Sequence, residues 1–173
     1  AQRNEVTGSL VGIKVAGDAA PTLEGNSCSS NETAGIVYSF SASGTAAQND
    51  CTGNGSGIIV TDQARPMLEA NSCSDNRLSG ITFNGDSAAT ANANSCLRNE
   101  VGIIVAGTAR PTLERNICNE NSLTGIAFRD SSRGLASSND CVGNGQYGIS
   151  IAVTANPTLM GNDCRDNGRS DME

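Results

Sequence analysis

Asn116-Ile117-Cys118-Asn119-Glu120-Asn121 is one of seven copies of Asn-x-Cys-x-x-Asn in this 173-residue chain. The cysteines stand at 28, 51, 73, 96, 118, 141 and 164, so the successive steps are 23, 22, 23, 22, 23 and 23. A regular step of that size means one small unit stacked on itself. Each unit also carries Gly-Ile, one further residue and a large apolar one: Ile13/Val15, Ile36/Tyr38, Ile58/Val60, Ile81/Phe83, Ile103/Val105, Ile126/Phe128 and Ile149/Ile151. This alternation of two predicts a strand with those side chains inward. A second apolar segment ends five residues before each cysteine, and a third is centred on the cysteine. Three short apolar segments per unit predict a parallel β-helix.

Two of these columns are anticorrelated in size. Coils with Tyr38, Phe83 or Phe128 in the first segment have Ala46, Ala91 or Ala136 in the second. Coils with Val15, Val60, Val105 or Ile151 have Leu23, Leu68, Leu113 or Leu159. A core near crystal packing density conserves volume layer by layer, and facing large with small does so. The true unit is therefore a pair of coils: Gly12 to Gly57 spans 45 residues, Gly57 to Gly102 spans 45, and Gly102 to Gly148 spans 46.

The turns repeat as strictly. One asparagine stands two residues before every cysteine, from Asn26 to Asn162, and another three residues after it, from Asn31 to Asn167. Stacked amides hydrogen-bond from coil to coil, and asparagine tolerates the left-handed backbone that a corner needs. The Gly before each Ile marks a special conformation or a close approach. Identical positions in successive coils put the cysteine side chains about 4.8 Å apart and parallel. Disulfides need a different mutual geometry, so the cysteines are expected as a row of free, inward thiols acting as small hydrophobes.

Composition excludes several functions. Only 3% of residues are aromatic and 20 are Gly, too little for a conventional globular core but enough for stacked thin layers. A net charge of -7, with Lys14 the single lysine, argues against a nucleic-acid surface. No apolar stretch is long enough for a membrane span, and Ala1-Gln2-Arg3-Asn4 does not read as a signal peptide. The chain has no His and no Cys-x-x-Cys pair, so neither a metal ligand set nor a cofactor is expected.

The Gly-Ile-x-Val strands, the Pro-Thr-Leu-Glu-x-Asn strand-turn at 111–116 and the asparagine ladder resemble the right-handed parallel β-helix proteins of the pectin-lyase-like superfamily, of the short-coil kind, over about Gly12 to Asn167. The resemblance implies an all-β right-handed solenoid of about seven coils, each as long as one cysteine-to-cysteine step, paired into a 45-residue super-repeat. Residues 1–11 are expected as an N-terminal partial coil or cap, and 12–173 as the repeat domain. Family members include polysaccharide lyases, glycoside hydrolases, epimerases, phage tail spikes and noncatalytic recognition repeats. Their catalytic forms carry long loops that wall a groove, whereas the steps between cysteines here differ by no more than one and leave no room for such a loop. Polygalacturonase-like motifs are absent, and no catalytic residue is assigned.

The outward side of the second segment is the most patterned surface. A threonine row is flanked by Glu24, Glu69 and Glu114 on alternate coils, and Arg65 and Arg110 lie four residues before two of them. The candidate binding residues are thus Arg65, Glu69, Arg110, Glu114 and Glu24, as a flat polar strip for a polysaccharide or a protein. The competing explanation is solubility: threonine favours strands, and charges on every second coil avoid stacking like on like. Glutamates about 10 Å apart are at or beyond the separation of a glycosidase pair. Two functional readings follow, a noncatalytic glycan- or protein-binding scaffold module of a larger protein, and a carbohydrate-active enzyme or a fragment of one. No terminal motif covers the last coil, which predicts neighbouring domains or end-to-end self-association. The resemblance implies an extracellular or cell-surface setting, and an odd number of unpaired cysteines is equally compatible with cytoplasm.

Overall fold

The computed structural model describes residues 1–172, and among them there is no helix. Eight five- and three-residue strands form the first sheet: Val11–Val15, Ala34–Tyr38, Ser56–Val60, Ser79–Phe83, Val101–Val105, Thr124–Phe128, Tyr147–Ile151 and Ser170–Met172. Seven three-residue strands form the second: Thr22–Glu24, Thr45–Ala47, Met67–Glu69, Thr90–Asn92, Thr112–Glu114, Leu135–Ser137 and Thr158–Met160. Every neighbour in both sheets is the strand one coil away, and all pairings are parallel. This is a right-handed β-solenoid of about seven turns.

The third side is thinner than the sequence suggests. Only Ser27–Ser29 is a strand there, paired with Glu5–Thr7. Beyond it, Ser27, Asp50, Ser72, Ser95, Ile117, Asp140 and Asp163 succeed one another as single parallel bridges. The reason lies in the corners. A residue with positive φ stands on each side of every Asn-x-Cys-x segment, as at Arg115 (φ 52) and Glu120 (φ 57). Only four residues lie between them, too few for a longer ladder. The left-handed residue is the one before each asparagine, not the asparagine itself, which corrects the sequence expectation. Gln48, Ala70, Ala93, Arg115 and Ser138 precede the first Asn row, and Ser30, Asp75, Arg98, Glu120 and Asp166 the second.

What the asparagines contribute is hydrogen bonding. Asn49 donates from Nδ2 to Asn71 Oδ1 at 2.9 Å and to the Leu23 carbonyl at 3.0 Å, and its backbone N–H meets the same Asn71 oxygen at 3.0 Å. The bonds recur along the row, so buried corner groups that would otherwise lack a partner are satisfied coil by coil. The second row repeats this, with Asn54 bonding to Asn76 and to the Cys28 carbonyl. Asn4 donates to Asn26 Oδ1 at 2.8 Å, and Val6 lies opposite Cys28, so residues 4–7 occupy the same places in the stack.

Inside, the size alternation is realised in register. Val15, Tyr38, Val60, Phe83, Val105, Phe128 and Ile151 are successive partners in the first sheet, and Leu23, Ala46, Leu68, Ala91, Leu113, Ala136 and Leu159 in the second. Tyr38, Phe83, Ala46 and Ala91 are all fully buried. Burying each such large side chain contributes about 1.5–3 kcal/mol. Between them lies the cysteine row, with Cys28 to Cys141 buried as free thiols and Cys164 partly exposed in the last coil. The Gly before each Ile is explained by contact: a Cβ on Gly102 would lie 2.5 Å from the Gly125 carbonyl oxygen and 3.0 Å from Cys118 Cβ.

Candidate functional site

The strip proposed from sequence lies on one continuous sheet face. Glu24, Ala47, Glu69, Asn92, Glu114 and Ser137 are partners in successive strands, so the glutamates share a column and are separated by one coil each. Two interstrand spacings put neighbouring glutamates about 10 Å apart. Arg65 and Arg110 flank the column at the preceding corner and are exposed, as is Glu69.

The structure engages these residues unequally. Arg110 forms an ion pair with Asp86 at 3.1 Å, a partner from the preceding coil. Glu114 is paired with Arg115 at 3.2 Å, and the same guanidinium donates to Asn92 Oδ1 at 3.2 Å. Glu24 accepts from Gln2 Nε2 at 2.8 Å. Among the described residues, Arg65 and Glu69 make no ion pair. Asp86 and Arg115 were not singled out by sequence, and the signal that could have found Arg115 is its corner position directly after Glu114. All of these pairs are exposed, so each contributes no more than about 1 kcal/mol. No two carboxylates of the strip converge as a catalytic pair requires.

Small depressions touch the strip at Glu24, beside Arg3 and Gln48, and at Arg110, beside Asp86 and Arg133, and two further ones lie on the corner between the third side and the first sheet. One depression is bordered by Glu32, Gly53, Asn54, Gly55, Asp75 and Arg77, and a second by Arg77, Arg98, Glu100 and Glu120. They share Asn76 and Arg77, so together they form one groove running along the solenoid axis. Arg98 donates to both oxygens of Asp75, at 2.8 and 2.7 Å, and this hydrogen bonding holds the Asp75 carboxyl below its usual range.

Along the thiol row, each S–H has a neighbouring sulfur as partner. Hydrogen bonds to Cys51 and Cys96, then burial, push the Cys73 thiol well up, and burial followed by the bonds to Cys141 and Cys96 does the same for Cys118. The same bonds favour the thiolate of the intervening Cys51 and Cys96, so the row titrates as one coupled system. Desolvation acts on every buried member in the upward direction, against the hydrogen bonds that lower Cys51, Cys96 and Cys141.

The fold and its ladders define a class, and sequence comparison agrees. The family described as right handed beta helix region matches residues 1–110, and the chain belongs to it. The family described as periplasmic copper-binding protein (NosD) matches residues 68–171. No curated protein matches the chain. Among solved structures, the periplasmic alginate epimerase AlgG superposes with a TM-score of 0.88 at 20% identity, covering 98% of this chain and 45% of that one. The A-module of the Azotobacter vinelandii mannuronan C-5 epimerase AlgE4 gives 0.75 at 16% identity, covering 99% and 56%. The AlgE6 A-module from the same organism gives 0.70 at 15%, covering 99% and 57%. The chain thus spans about half the length of these structures, and identities this low establish the shared fold alone.

A copper site does not fit the residues present. The chain has no histidine. Cys28 to Cys141 stand in single file inside a packed core, so they neither converge on one point nor offer an entry path. The described residues contain no group of three His, Cys, Asp or Glu side chains that could hold an ion. Among the described residues, no helix is long and apolar enough to cross a membrane.

Proposed function

We propose that this chain is a noncatalytic β-helix module that binds a polysaccharide, with Arg65, Glu69, Arg110 and Glu114 among its contacts. The observation that carries this reading is the unbroken coil: successive turns have the same length to within one residue, so the polar columns of the second sheet run along the axis with no loop rising between them. Such a face can lie against an extended chain over several coils but encloses no bond. The solved structures of similar fold are named as epimerases of alginate and mannuronan, which supports a carbohydrate as the ligand class. They equally motivate the competing reading, a carbohydrate-active enzyme or part of one.

A solvated flat strip steers charge and gains little from buried area, so affinity is expected in the micromolar to millimolar range, about -8 to -4 kcal/mol. The test is titration of the purified protein with alginate, polygalacturonate and a neutral β-glucan, followed by chromatography and NMR of the recovered polymer. Binding without cleavage, unsaturated ends or epimerised residues is the expected result. Turnover abolished by Glu69→Ala with Glu114→Ala would replace this reading by the enzymatic one.

A further inference from the structure

We infer that the corner groove is a second carbohydrate contact, centred on Gly53-Asn54-Gly55, which seats one polyhydroxylated sugar ring of the polysaccharide. The inference rests on the binding function proposed above and adds a place that the sequence reading did not mark.

The notch arises where both columns flanking the second asparagine row are glycine between coils that carry side chains; the same pair recurs at Gly143 and Gly145, without an acid and a base on its two sides. Flanking the second asparagine row, one column runs Ser30, Gly53, Asp75, Arg98, and the other Glu32, Gly55, Arg77, Glu100. For the width of one coil both walls fall to backbone, and the depression opens there. Gly55 is required by the fold, since a Cβ would stand 2.5 Å from the Glu32 carbonyl oxygen and 2.5 Å from that of Thr33. Gly53 is not required. Its φ of 69° is shared by non-glycine residues of the same column, Ser30 at 54°, Asp75 at 56° and Arg98 at 53°. A Cβ there would have Ser30 N, at 4.0 Å, as its one neighbour. The opening at Gly53 is therefore a feature of the surface, not a demand of the coil.

The walls have the chemistry of diol recognition. Glu32 and Arg77 stand one coil to either side of Gly55, so their backbones are about 10 Å apart. Both side chains border the same depression, with the backbone of Gly55 between them. Glu32 accepts from hydroxyls and Arg77 donates to ring, hydroxyl or carboxylate oxygens. Among the described residues neither is engaged in an ion pair, so neither must break one to bind. Asp75, at the edge of the notch, is already held by Arg98, which leaves Arg77 the available cation.

Two hexasaccharide probes, cellohexaose and hexamannuronate, distinguish neutral from uronic rings, and isothermal titration with amide NMR reads both affinity and place. At least one probe is expected to shift the Gly53 and Gly55 amides. Gly53→Arg, which fills the notch in a conformation the column already holds at Arg98, should weaken that binding about tenfold or more, and Glu32→Gln and Arg77→Gln should each weaken it severalfold. Should Gly53→Arg fail to fold, the two wall variants decide the question alone. Binding that is lost in Glu69→Ala/Glu114→Ala but unchanged in Gly53→Arg, Glu32→Gln and Arg77→Gln would overturn the corner site and leave the binding function standing. Failure of the wild-type protein to bind either hexasaccharide or the polymers would overturn both.

Discussion

Asn94 reaches Asn116 Oδ1 twice, from its side-chain Nδ2 at 3.0 Å and from its backbone N–H at 3.0 Å, while its own Oδ1 accepts the same pair of bonds from Asn71. One amide thus ties three coils together. A second bond from Nδ2 to the Leu68 carbonyl, at 3.0 Å, adds the turn that enters the corner. Asn94→Ala leaves the Asn71 amide and the Leu68 carbonyl without those partners in a buried place. We expect a loss of about 2–5 kcal/mol, read by denaturant unfolding, against about 0.5 kcal/mol or less for Asn156→Ala at an exposed position. Equal, small losses at both positions would show that the ladder is dispensable.

The paired-coil core makes a second prediction. Phe83→Val should open a cavity costing about 1–4 kcal/mol, and Ala91→Leu should overpack at about 1–3 kcal/mol. Both positions are fully buried in one coil, between neighbours that already use Val60 with Leu68 and Val105 with Leu113. The double variant should recover part of the summed loss, as positive coupling in a double-mutant cycle. Strict additivity would mean that the two columns do not share space.

Tyr38 carries a hydroxyl that is buried without a hydrogen-bond partner, where Phe83 and Phe128 hold the equivalent positions. Burial pushes its phenol well above the ordinary range. Tyr38→Phe should therefore stabilise the protein, by up to about 1–2 kcal/mol, seen as a higher melting temperature. A loss of stability would reveal a partner for the hydroxyl.

A thiol reagent should modify none of Cys28, Cys51, Cys73, Cys96, Cys118 and Cys141 in the native protein and all of them after denaturation, because the row is sealed from solvent. The sign of the pH dependence follows. For Cys73 and Cys118 the folded-state pKa lies above the unfolded one, so their contribution is fully present below about pH 8.5 and is lost as pH rises beyond it. Cys73→Ala with Cys118→Ala should flatten that alkaline decline in unfolding free energy, and an unchanged slope would count against a raised pKa at these two thiols.

Periodicity by itself determined the architecture. A repeated Cys at steps of 22 or 23 and a strict alternation of Val/Leu with Phe/Ala layers admit one register, since any slip would set large on large and break the volume balance. The asparagine rows were equally legible, because a corner needed in every coil writes its residue in every coil. Glu24, Glu69 and Glu114 could be placed on one face for the same reason. Other features depended on what lies across a coil boundary. Arg98 and Asp75, like Arg110 and Asp86, belong to different coils, and whether such exposed chains meet is set by corner geometry. The left-handed residue beside each asparagine varies from Gly to Arg, so no residue type marked it. The groove at Gly53 and Gly55 was hidden for a related reason: it is defined by side chains missing between Glu32 and Arg77, and a missing wall becomes a site only when the coils are stacked.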